Sequence, residues 1–274
     1  MATSLSSPSR VAAPIDHDRI LIGGHHLYWE SHGPPSAPTA VLLHHGLGST
    51  AAWRRQVPAL TTAGWRVVAY DRWGYGRSDP RPEFAWDFLR QDAVEALTLL
   101  DALGLARVSL VGHSDGGSIA LLMAAEHPER IERLVSIAAH IYFEPVTGGG
   151  VESIARAAAQ SPLREALGRE HGDKAQALVA AWAARWLDPR MRSLSLTDEL
   201  RRIVCPTLVI QGELDEHATR QHAIDIARGI TGGELWLVDG AHHMLPQERP
   251  DEFNRRVRAF LGAAPPSQVA SSSR

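Results

Sequence analysis

Six short runs, 40–43, 67–70, 108–111, 134–138, 207–210 and 235–238, are built almost wholly from Val, Ile, Leu and Ala and show no polar alternation. Strands of that kind are buried on both faces, which a chain achieves in a parallel sheet covered by helices on either side. The intervening stretches carry the matching helical signal. Leu89, Ala93, Ala96, Leu97 and Leu100 keep one helix face, and Gly104 follows Leu103 as a terminator, predicting a helix over 86–103. Pro250 in a first turn, with Phe253, Val257, Phe260 and Leu261 on one face, predicts a final helix. Residues 19–23 and 25–31, joined at Gly23-Gly24, read as an opening antiparallel hairpin. The expected fold class is therefore α/β, with a mostly parallel central sheet flanked by helices.

The alternation fails between 141 and 200. There a Gly148-Gly149-Gly150 link leads into an Ala-, Arg- and Leu-rich stretch with no strand signal. We expect a helical cap inserted into a single core made of 18–140 and 201–264, with disordered tails at 1–17 and 265–274. Within the cap, Trp182 and Trp186 stand four apart and share a helix face, where they either pack the cap or line a substrate pocket.

Several function classes are disfavoured. The net charge is −3 and the 28 basic residues are scattered, so no nucleic-acid footprint is expected. No apolar run is long enough for a membrane span and the first fifteen residues lack a secretory signal's apolar stretch, so no membrane association and a cytoplasmic location are expected. The one cysteine, Cys205, leaves no disulfide framework and reads as strand packing. The fourteen histidines show no H-E-x-x-H spacing, and neither a metal nor a cofactor is implied.

The chemistry concentrates at strand ends. The run 108–111 leads into Gly112-His113-Ser114-Asp115-Gly116, a G-x-S-x-G at a strand-to-helix junction. So sharp a turn lifts the serine above the sheet, and side chains two positions either side would collide, hence the glycines. A hydroxyl needs a base to take its proton and a third group to orient that base. Glu213 and Asp215 follow the run 207–210, and Asp239, His242 and His243 follow 235–238. On position alone these acids and histidines remain alternatives.

These segments together resemble the α/β-hydrolase family from about residue 20 to 262. His44-His45-Gly46-Leu47-Gly48 is similar to its oxyanion loop, Asp71-Arg72-Trp73-Gly74-Tyr75-Gly76-Arg77-Ser78 to its D-x-x-G-x-G-x-S turn, and Gly212-Glu213-Leu214-Asp215 and His243 with Glu248-Arg249-Pro250 to its acid and histidine segments. The resemblance implies a triad of Ser114, Asp215 and His243, with oxyanion donors at the backbone N–H groups of Leu47 and Asp115. His44 and His45 are expected to brace the loop, and Asp71 and Ser78 to bind turn backbone. The chain departs from the family at His242, where glycine is usual.

A serine nucleophile implies a serine esterase acting on a small-molecule carboxylic ester or activated amide through an acyl-enzyme. Ser114-Asp115-Gly116-Gly117 resembles the branch containing valacyclovir hydrolase, which implies that Asp115 binds the amino group of an amino-acid ester. The alternative partner for Asp115 is Arg72, which would make it structural. A carbon–carbon bond hydrolase of dienoate-type compounds and a ligand receptor with little turnover are the competing functions.

Overall fold

The computed structural model describes residues 14–262. The expected tails lie outside them except for 14–17. In chain order the elements are β1 (Asp16–Ile22), β2 (His25–His32), β3 (Thr39–Leu43), α1 (Gln56–Thr62), β4 (Arg66–Asp71), α2 (Phe88–Ala102), β5 (Val108–His113), α3 (Asp115–Glu126), β6 (Ile131–Ile137), α4 (Pro145–Ala158), α5 (Leu163–His171), α6 (Ala175–Trp186), β7 (Thr207–Gly212), α7 (Arg220–Gly229), β8 (Glu234–Val238), α8 (Leu245–Glu248) and α9 (Pro250–Leu261). No helix among the described residues is long and apolar enough to cross a membrane.

The strands form one eight-stranded sheet in the order β1-β2-β4-β3-β5-β6-β7-β8. β1 and β2 pair antiparallel, β2 pairs antiparallel with β4, and every later pairing is parallel. Central strands feed two cores by the two-residue period. In β3, Val41 and Leu43 join the core under α2, α3 and α7, whereas Ala40 and Leu42 join the opposite core against α1 and α9. Because β3 lies between β4 and β5, the chain leaves it in opposite directions, which opens a crevice above the carboxyl ends of β3 and β5.

Three boundaries differ from the sequence expectation. β1 starts at Asp16, inside the segment expected as a tail, and its ladder runs from Asp16 opposite Ser31. Asp16, His17 and Asp18 are exposed on an edge strand, so no apolar alternation marked them. β8 closes the other edge, where Leu235 is 41% exposed, so its apolar run is not buried on both faces.

The third concerns Gly148-Gly149-Gly150, which is not a link but lies within α4. Pro145 occupies the first turn and sets the helix φ, and the glycines follow inside it. Gly150 has a steric reason: a β-carbon there would sit 2.1 Å from Nδ1 of His217. Gly149 has open space around it.

The two glycines should respond oppositely to alanine. Gly149→Ala removes a helix-interior glycine and should stabilise by about 1 kcal/mol, raising Tm by roughly 2–4 °C. Gly150→Ala should lower Tm, by about 1–3 kcal/mol of overpacking, as the His217 ring is displaced. Thermal melts of both variants check this, and a rise in both would show that His217 moves freely.

Candidate active site

Ser114 follows β5 and precedes the first residue of α3, with φ 55° and ψ −118°, a left-handed conformation that side chains avoid. The turn is held by neighbours rather than by its own preference. A β-carbon on Gly112 would lie 2.2 Å from the Gly116 carbonyl oxygen, and one on Gly116 would lie 2.2 Å from the Leu43 carbonyl oxygen. Ser114 N–H donates to the Ile137 carbonyl at 2.8 Å. The start of α3 brings its unpaired N–H groups and positive end to the same place.

Asp215 and His243 come from the loops after β7 and β8. Nδ1 of His243 lies 3.0 and 2.9 Å from the two Asp215 carboxylate oxygens. The carboxylate also accepts the N–H groups of His217 at 2.8 Å and Ala218 at 3.1 Å, and Gln211 Nε2–H at 3.1 Å. Burial opposes ionisation of Asp215, but His243 and the donated N–H groups outweigh it and hold the carboxyl below its ordinary range. Such a carboxylate keeps the proton of the imidazole on Nδ1 and leaves Nε2 with a lone pair. The other candidates stand apart. Glu213 and Asp239 are exposed, and His242 has a 53% exposed ring whose Nδ1 is 3.6 Å from Glu216.

A cavity of about 280 Å³ lies over these residues, lined from the core by Leu47, Ser114, Asp115 and His243 and from the insertion by Trp182 and Trp186. Both indoles are buried as well as cavity-lining, so packing and lining coincide. Trp182 Nε1–H donates to Asp115 Oδ2 at 3.1 Å, and a β-carbon on Gly46 would lie 2.8 Å from the same nitrogen. Arg72 Nη2 is 3.6 Å from Asp115 Oδ2, while Asp115 Oδ1 has no protein partner among the described residues. Leu47 has φ 59°, in a loop whose His45, Gly46 and Leu47 line the cavity.

The flanking turn behaves as its residue types require. Asp71 accepts from Thr50 N–H at 2.6 Å and Arg77 N–H at 2.7 Å, and Ser78 Oγ donates to the Asp71 carbonyl and accepts Tyr28 N–H at 2.9 Å. His44 donates from Nδ1 to the His45 carbonyl and accepts Arg72 N–H at Nε2, and His45 donates to the Gly46 carbonyl.

Three further residues escaped sequence reasoning. His113 occupies a free position of its motif, yet its Nε2–H donates to the His243 carbonyl at 2.9 Å. His217 sets its ring centroid 4.6 Å from that of His243, and His140 Nε2–H and Thr147 Oγ1–H both donate to the His217 carbonyl. Burial, then the neighbouring His243, pushes His217 down to about 4, and burial lowers His113 and His140 as well. These rings therefore pack around His243 uncharged at neutral pH. Among the described residues no group of three or more His, Cys, Asp or Glu is arranged to hold a metal ion.

Comparison with known proteins agrees with this architecture. A family model described as the alpha/beta hydrolase fold matches residues 39–185. A protein of Mus musculus named Serine hydrolase BPHL is 31% identical over 257 residues, spanning 89% of this chain and 85% of its own. Among solved structures, a hydrolase from Pseudomonas aeruginosa superposes with a TM-score of 0.72 at 28% identity, covering 91% of this chain and 99% of the other. An enol-lactonase from Burkholderia xenovorans gives 0.72 at 26%, covering 89% and 99%.

The glycine contacts generate a test of the turn itself. Gly116→Ala forces a β-carbon into the β3 backbone, which cannot rotate aside, and should destabilise by at least about 2 kcal/mol. A urea midpoint unchanged from wild type would show that the turn can open without cost.

Proposed function

This chain belongs to the α/β-hydrolase family and is a hydrolase, and on that premise we propose that it cleaves a small-molecule carboxylic ester through an acyl-enzyme on Ser114. The observation that carries the reading is the buried Asp215–His243 contact, whose imidazole lines the same cavity as the strained Ser114. His243 Nε2 takes the Ser114 proton as Oγ attacks the ester carbonyl carbon. The resulting oxyanion is met by the N–H groups of Asp115, at the start of α3, and Leu47. His243 returns the proton to the leaving alcohol oxygen as the carbon–oxygen bond breaks. Water then attacks the acyl-enzyme with His243 again as base, releasing the acid and restoring Ser114. Asp215 holds the imidazole in the productive tautomer and offsets its positive charge.

In this reading Asp115 also reads the substrate. Its Oδ2 is taken up by Trp182 and faces Arg72, and its Oδ1 is left for a substrate donor, of which a protonated amine is the best electrostatic match. Arg72 offsets the carboxylate when no amine is bound, so the negative charge beside the oxyanion is not left bare. Trp182 and Trp186 supply apolar walls for the acyl group.

Ser114→Ala and His243→Ala should each lower kcat by about four to six orders of magnitude while the thermal melt is retained, since the members act as a unit. Asp215→Asn should cost about 10⁴-fold. His242→Ala should stay near wild type, given its exposed ring. A dead His242→Ala beside an active His243→Ala would move the base by one residue.

Asp115→Asn keeps an acceptor for Trp182 but removes the charge. It should lower kcat/KM for an aminoacyl ester by roughly ten- to a hundred-fold relative to the des-amino ester, the range of a charge-assisted hydrogen bond. Equal losses on the two esters would show that Asp115 serves the turn and not the substrate.

A further inference from the structure

The insertion touches the core at a place that sequence patterning does not mark. His171 ends α5 and is 3% exposed, and both its ring nitrogens are engaged by core loops. Gly76 N–H donates to Nδ1 at 2.9 Å, which makes Nε2 the protonated nitrogen, and Nε2–H donates to the Leu47 carbonyl at 3.0 Å. Lys174, three residues on, donates to the carbonyls of Tyr75 at 3.2 Å and Ser78. One corner of the insertion thus grips two loops, the one after β3 and the turn over 71–78.

What it grips is unusual backbone. Leu47 is one of three non-glycine residues with positive φ among the described residues, the others being Ser114 and Ala138. A leucine does not settle there unaided, because its β-carbon crowds the backbone. The Asp115 amide is aimed by α3, in which it is the first residue, whereas the Leu47 amide has no helix behind it. Its direction depends on the φ of Leu47 and on whatever holds the rest of that residue. The group doing so is His171.

We propose that His171 is a positioning residue for the oxyanion hole: by holding the Leu47 carbonyl from the insertion, it keeps the Leu47 N–H aimed into the cavity beside Ser114. The proposal rests on the acyl-enzyme reading above. The chemistry follows from the ring's two contacts. An imidazole with Nδ1 as acceptor and Nε2 as donor bridges one N–H and one carbonyl, and no apolar side chain does so. A glutamine amide carries the same acceptor and donor and should substitute in part.

The test uses the full chain with His171→Phe, His171→Gln and His171→Asn, whose shorter amide cannot span both loops. Two ligands are compared: an arylboronic acid, which adds to the serine as a tetrahedral anion with an oxygen in the hole, and the neutral amide of the same aryl acid, which does not. His171→Phe should lower kcat by roughly ten- to a hundred-fold, less than the full loss of one oxyanion donor, with KM within about two-fold. Boronate affinity should fall by the same factor as kcat/KM while amide affinity holds, and His171→Gln should recover most of both. If His171→Phe does not fold by thermal melt, His171→Asn should show the same split. Equal weakening of both ligands, or no loss in any variant of a boronate-sensitive wild type, overturns the proposal and leaves the acyl-enzyme reading standing. A wild type that binds the boronate no better than the amide overturns both.

Discussion

The contact between the Gly116 backbone and the Leu43 carbonyl, too close to admit a β-carbon, sets the geometry of everything above the sheet. It draws the turn after β5 against the end of β3, so the serine-bearing turn and the loop holding Leu47 stand side by side. From there backbone hydrogen bonds step outward across the sheet. Ser114 N–H reaches the Ile137 carbonyl at the end of β6, and Ala138 N–H reaches the Ile210 carbonyl in β7. The loops after β7 and β8 bring Asp215 and His243 back, and His113 closes the circuit by donating to the His243 carbonyl. Main-chain contacts among strand ends thus decide where these side chains stand.

A second constraint is electrostatic. Arg72 and Arg81 are buried with Asp92 between them, at 2.9 and 2.6 Å, and Asp115 completes a set of two cations and two anions. Buried charges survive only when paired, and removing one partner of such a set costs several kcal/mol, roughly 3–5. The neighbouring Glu95 keeps the balance. Burial, then Asp92, against the pull of Arg81, pushes its carboxyl up to about 8, so it adds little negative charge at neutral pH. Arg72 also donates to the His45 carbonyl at 3.2 Å and lies 4.4 Å over the Tyr75 ring. The same guanidinium thereby faces Asp115 and braces the loop after β3.

Much of this was legible in sequence, because the core strands lie in the sheet interior. Runs such as 108–111 and 207–210 have no polar alternation, as strands buried on both faces require, whereas 235–238 carries the same pattern at an edge. Ser114 was legible for a local reason, since the steric demands of its turn leave a glycine on each side. Asp215 and His243 needed more, since Glu213, Asp239 and His242 occupy comparable loop positions; the resemblance across the whole chain favoured the pair, and in the fold burial and the carboxylate–imidazole distance set it apart. What sequence hid was surface and through-space contact. Asp16 to Asp18 are polar because β1 is an edge. The glycines at 148–150 looked like a link because the contact that requires one of them, Gly150 against the His217 ring, comes from more than sixty residues downstream. His113, His140 and His171 carry no spacing signal, as each ring bonds a backbone carbonyl brought near only by the fold, and His217 carries none because its partner is the His243 ring.

The insertion leaves and re-enters the core at adjoining points: Leu196 N–H donates to the Ile141 carbonyl at 2.8 Å, and Tyr142 bridges Ser195. Such a closed neck gives the segment the outline of an interchangeable module, one that could be exchanged between relatives without disturbing sheet register. The corner at His171 and Lys174 breaks that independence, because it is stitched to two loops far from the neck. A chimera joined cleanly at 141 and 196 would inherit a new pocket and lose a clasp on the old machinery. Transplanting specificity in this scaffold is therefore a matter of two seams, and the second is invisible from the splice sites.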